Sequence, residues 1–171
     1  MATQVSSIIG VDLSGVGGTT QLFALGSIAY GTGGSEWEYI EVTSTHVTGK
    51  VVIINQNGTG KVALPAMLTA NGTQAQFGFV QNSVNQGEFA WVARRGRGLY
   101  VLTSASLTLG GDTVLGLALS ANSGRLIGQP AAAVGATIFG VFILSAVGTA
   151  DLAAGVPALA SLLWPRAALN G

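Results

Sequence analysis

The chain has 171 residues, of which 49% are hydrophobic and only 8% charged, with seven Lys or Arg balanced by seven Asp or Glu. Soluble domains usually carry ~25% charged residues, so much of this surface is expected to face other protein, and neutrality argues against a broad basic field for nucleic acid. Cysteine is absent, which excludes disulfides and thiolate metal sites, and 26 glycines against 4 prolines favour many turns over long helices.

Residues 1–35 are small, polar and rich in glycine, interrupted by G-V-G-G at 15–18 and G-T-G-G at 31–34. The opening lacks the basic and apolar regions of a secretory signal. Ile8, Ile9, Leu22, Phe23 and Leu25 are too apolar for a solvated tail. The stretch therefore reads as an extended N-terminal arm that is disordered alone and orders against a partner. The expected division is this arm, 1–35, followed by a β-rich domain, 36–171.

The domain opens with E-W-E-Y-I-E-V-T at 36–43. Its alternation predicts a strand with Trp37, Tyr39 and Glu41 on one face and Glu36, Glu38, Ile40 and Val42 on the other. K-V-V-I-I-N at 50–55, the turn Asn57-Gly58-Thr59-Gly60 and the run from Lys61 predict a hairpin that Pro65 ends. Asn71-Gly72 marks a further turn. Three apolar runs follow, 76–81, 88–93 and 97–102, separated by 82–87 and by Arg94-Arg95-Gly96. They predict an antiparallel meander, with Phe89, Trp91 and Ala93 facing one way and Glu88, Ala90 and Val92 the other.

Short strands are expected at 114–119 and 125–128 around the turn Asn122-Ser123-Gly124. No charge occurs between Arg125 and Asp151, and 131–150 has the ~20-residue length of a membrane span. Its small-residue content, the short apolar centre at 137–144 and the lack of a flanking Lys/Arg cluster favour a strand buried on both faces. Asp151 could cap a helical turn, and 157–163 fits helix or strand. No helical period persists, so the class is all-β, a small antiparallel barrel or sandwich. Phe77, Phe79, Phe89, Trp91 and Phe139 are the core candidates.

Catalytic signals fail one by one. Gly60-Lys61 suggests a phosphate loop, but Asn55 replaces the first Gly and Val62 the metal-holding Ser or Thr. Gly15-Val16-Gly17 and Gly31-Thr32-Gly33 begin a dinucleotide fingerprint, but Thr20 and Glu36 replace its last Gly. His46 is the single histidine, which fits a solvated or hydrogen-bonded loop residue better than a triad or metal site. Glu36, Glu38 and Glu41 could supply paired carboxylates, but a strand's polar face accounts for Glu36 and Glu38. Asn57-Gly-Thr59 and Asn71-Gly-Thr73 fit the glycosylation pattern, which is common by chance. No enzyme activity, cofactor or metal is expected. Arg94, Arg95 and Arg97 form the one dense charged cluster, either a solvated turn or a set of forks for an acidic partner surface.

Phe79-Val80-Gln81, Gly87, Trp91-Val92, Arg95-Gly96-Arg97 and the late Trp164-Pro165-Arg166 together form a familiar pattern, opened by Glu36-Trp37-Glu38-Tyr39. This pattern resembles small structural proteins of tailed-bacteriophage heads, over about 36–166. The Gly/Ala-rich segment 128–160 departs from it. The resemblance implies a capsid decoration, or cement, protein; the competing classes are a tail or fibre structural protein, a small membrane-associated protein and a carbohydrate-binding β-module. A decoration protein would be a β-rich homotrimer bound to the major capsid protein on the outer shell, with no nucleic-acid or membrane partner. The arm residues and the three arginines are then the candidate partner-binding positions.

Overall fold

The computed structural model describes residues 13, 17–62, 76–103, 117–119, 124, 126–128, 136–144 and 157–169. Their strands are β1 (Ile28–Tyr30), β2 (Glu36–Val42), β3 (Val51–Ile54), β4 (Thr59–Val62), β5 (Gln76–Val80), β6 (Phe89–Leu102), β7 (Leu117–Leu119), β8 (Leu126–Gly128), β9 (Ala136–Ile143) and β10 (Pro157–Leu169). They join in one sheet of order β1-β2-β4-β3-β5-β6-β10-β9-β7-β8. An additional β2–β6 pairing closes β2, β4, β3, β5 and β6 into a five-stranded barrel. The protein is all-β. None of its described helices is long and apolar enough to cross a membrane.

Alternation along each strand sorts residues between two cores. Ile40, Val42, Val52, Ile54, Val80, Ala90 and Val92 share one face around the ring and form the barrel interior with Val84. A small barrel leaves little room inside. Gly60 and Gly78 sit in this ring, where an added Cβ would run into Ile40 and Val92 respectively. The other face carries Trp37, Val51, Ile53, Phe77, Phe79 and Ala93, which pack against Leu99 and Val101 of β6, Leu126, Ile138 and β10. The sheet β6-β10-β9-β7-β8 thus folds back over the barrel wall, and the Val51 N–H donates to the Gly124 carbonyl at 2.8 Å where the two meet.

Turn chemistry fixes the hairpin expected at 50–64. Asn57 Oδ1 accepts from the Thr59 N–H at 3.2 Å and from its hydroxyl at 2.8 Å, and Gly58 takes φ +75. The strands at 36–43, 114–119, 125–128 and 137–144 appear as β2, β7, β8 and β9 within a few residues. The ambiguous 157–163 is the start of strand β10. The turn at Asn71-Gly72 and the helical turn at Asp151 lie outside the described residues.

Two local expectations need correction. Arg94-Arg95-Gly96 is not a turn: β6 runs through it as one 14-residue strand. Its first half pairs with β2 and its second with β10, so the backbone groups of these residues stay bonded without a reversal. Gly96, at φ +141, bends the strand there. Secondly, β9 is not buried on both faces. Ile138 is buried, but Phe142 and Leu144 are each 40% exposed on the side away from the barrel.

The bend at Gly96 continues across the sheet. Gly140 in β9 has φ +81, and a Cβ there would collide with the Leu163 carbonyl. The β9–β10 register shifts between Leu162 and Arg166. Trp164 sits in that shift at φ +42, a conformation that costs an ordinary residue ~1–2 kcal/mol. The crease lets β6 serve both the barrel and the sheet that covers it.

Among the core candidates, Phe77 and Phe79 are fully buried, while Trp91 is partly buried against the outer core. Phe89 is half-buried and stacks on Tyr39, and the Phe139 side chain lies outside the described residues. Trp37, absent from that set, is the largest fully buried side chain among the described residues.

Candidate functional site

The three arginines diverge. Arg94 shares the inward alternation of Ala90 and Val92 and turns into the barrel mouth, where its Nη1 donates to Glu38 Oε2 at 2.7 Å. Arg95, on the other face, lies over the Trp164 ring with its guanidinium carbon 4.5 Å from the centroid. Arg97 is exposed, opposite Ser161 of β10. A single strand passing through 94–97 sends these side chains to different places, whereas a turn would have gathered them.

Burial pushes the Glu38 carboxyl above the usual carboxylate range; the Arg94 charge and hydrogen bond offset part of this, and Glu36 adds a small upward push. Glu38 is 6% exposed. The alternation of β2 had placed it beside Ile40, but its pairing with a strand 56 residues away is visible only in the closed barrel.

At the other end of the barrel, His46 is completely buried and bridges to Val84. Its Nε2 lies 3.4 Å from Ser44 Oγ, and Nδ1 has no partner among the described residues. Burial, helped by the nearby Lys50 charge, lowers its pKa to about 4. Of the two expectations for this loop residue, the hydrogen-bonded one holds and the solvated one does not: the ring is a neutral plug.

Arm residues meet the rest of the protein at several places: Leu13 and Ala29 are buried in the outer core, and Gly18 bridges to Phe89. Phe23 packs on Tyr39 and on Trp91, both at 5.3 Å between ring centroids, and Tyr39 lies 5.0 Å from Trp91. Leu22 is 73% exposed, though its N–H donates to the Tyr39 hydroxyl at 3.1 Å. Leu25 is half-buried against Gly58. Strand β1, within the same stretch, pairs with β2. Ile8 and Ile9 lie outside the described residues.

A second cluster forms at the crease. Trp164 Nε1 donates to Glu36 Oε1 at 3.1 Å while Arg95 covers its ring. Leu163 and Trp164 are both substantially exposed, as are Leu159 of β10, Phe142 of β9 and Leu144 just after it. The described residues hold no group of three or more His, Asp or Glu able to bind a metal. The chain matches no protein-family model and no characterised protein.

Proposed function

We propose that the chain is a non-enzymatic structural protein of a bacteriophage virion, which decorates and stabilises the outer capsid surface by binding the major capsid protein. The observation that carries this reading is the convergence of Glu36, Arg95 and Trp164. These residues belong to three separated parts of the pattern that resembles phage head proteins. In space they form one contact, with 3.1 Å from Trp164 to Glu36 and 4.5 Å from Arg95 to the Trp164 ring. An exposed Trp against an Arg, in a strand that also exposes Leu159 and Leu163, has the aromatic, Arg and aliphatic make-up of a protein-contact surface.

The low charge of the chain supports the same reading, since it leaves neutral apolar surface that a partner can cover. A homotrimer is part of the proposal: cyclic closure lets such a surface assemble without open-ended polymerisation.

The test mixes the purified chain with capsids lacking it, followed by sedimentation and electron microscopy. The expected result is ordered density on the outer shell, in threefold clusters, and loss of binding in Trp164→Ala. Shells that sediment without the chain, or density confined to a tail or fibre, would overturn the assignment.

A further inference from the structure

The mouth of the barrel carries hydrogen-bonding groups that have no partner among the described residues. It opens as a cavity of about 610 Å³ between β1, the β3–β4 turn and the mouth ends of β5 and β6. That is within the size range of small-molecule sites, ~300–1,000 Å³. Glu38 and Arg94 form part of the wall, joined by a single contact from Nη1 to Oε2. Gln56 and Gln76 line the same space, and their side-chain amides carry no hydrogen bond among the described residues. Ile28 and Ile54 supply apolar wall.

Charge decides what fits. Glu38 and Arg94 already neutralise each other, so an ionic ligand of either sign would leave one charge uncompensated in a half-buried site, which is costly. A neutral ligand escapes this penalty. The wall offers donors from Arg94 and the amides, and acceptors from Glu38 and the amides, side by side. A ligand that satisfies both kinds at neighbouring atoms needs groups that donate and accept at once. Adjacent hydroxyls do so, and the C–H edges between them suit the isoleucine wall. The Arg94 Nε–H is buried with no partner among the described residues, and a ligand that draws the guanidinium toward the cavity would give it one.

We propose that the barrel mouth binds a neutral polyhydroxylated ligand, a saccharide, held by Glu38, Arg94, Gln56 and Gln76. This does not depend on the capsid reading and could hold if that reading failed.

The experiment follows backbone amide signals of the isotope-labelled full chain by NMR. Glucose, galactose, mannose and N-acetylglucosamine are titrated separately into the millimolar range, with sodium acetate and methylammonium chloride as charged probes. The expected result is saturable movement of the Gly26, Gly58 and Gln76 signals with at least one sugar and none with either ion. Gln76 is exposed, so Gln76→Leu is expected to keep the rest of the spectrum while weakening that sugar about tenfold, equivalent to ~1.4 kcal/mol. Gln56→Leu, on the opposite turn, is expected to do the same. No response to any of the four sugars, a response to acetate or methylammonium at these signals, or sugar binding unchanged in both variants would overturn the proposal.

Discussion

Arg94 and Glu38, 56 residues apart in the chain, meet at 2.7 Å inside the mouth of the barrel. Both side chains are largely buried, at 18% and 9% exposure. Removing one partner from such a pair leaves a charge without compensation. Arg94→Met is expected to cost roughly 2–4 kcal/mol near neutral pH. Glu38→Met combined with Arg94→Met should recover a large part of that, because neither buried charge remains. The pH dependence has a definite sign. A carboxyl with a raised folded pKa stabilises the fold below its unfolded pKa, and that contribution disappears as pH rises through the folded value. The Arg94→Met deficit should therefore shrink in acid as Glu38 takes up a proton. Urea unfolding of the two single variants and the double variant at neutral and acid pH measures this; equal deficits at both would show that Glu38 is not the cause.

The interior glycines give a second prediction. A Cβ at Gly78 would lie 2.7 Å from Val92 Cγ2 and 3.2 Å from Ile54 Cδ1. Val92 is β-branched and stiff, so it cannot move aside easily. Gly78→Ala is expected to cost about 1–3 kcal/mol. At Gly60 the nearest atom is Cδ1 of Ile40, a side chain that is also β-branched and fully buried, so Gly60→Ala should cost a similar amount. Joining Gly78→Ala with Val92→Ala should cost less than the sum of the two changes. Thermal unfolding of this set checks the interior packing, and strict additivity would place the crowding elsewhere.

His46 supplies the third. Its folded pKa of about 4 lies below the free value of 6.5. A group depressed in this way stabilises the fold above its unfolded pKa, and that stability is lost as pH falls toward the folded value. Between these two pH values the loss should approach about 3 kcal/mol, with Glu38 working in the opposite direction. His46→Gln removes the titration and should flatten the stability profile over that window. An unchanged slope in His46→Gln would mean that acid sensitivity comes from other groups.

Legibility of the fold followed the range of the interactions. The alternation of 36–43, the hairpin glycine at 58 and the β-branched run at 51–54 are local signals, and they determined β2, β3 and β4 from sequence alone. The faces of the 88–93 run were also readable, since Trp91 and Ala93 lie on the outer core and Ala90 and Val92 inside the barrel. Arg94-Arg95-Gly96 misled because polar residues beside a glycine are equally the chemistry of a turn and of a bend in a long strand. What separates the two is whether other strands satisfy the backbone, and β2 and β10 lie far off in sequence.

The same limit governs the candidate sites. Composition determined a charge-poor, cysteine-free chain, the alternating runs made it a β-protein, and a few spaced residues carried the likeness to phage head proteins. Tertiary structure decided that Glu38 faces Arg94 and not solvent, that His46 is a buried plug, and that Glu36, Arg95 and Trp164 converge. Each depends on barrel closure or on the crease, which set distances between residues that no local pattern encodes. A side chain's alternation tells which face of a strand it occupies. Only the curvature of the whole sheet tells whether that face encloses a cavity, a core or open solvent.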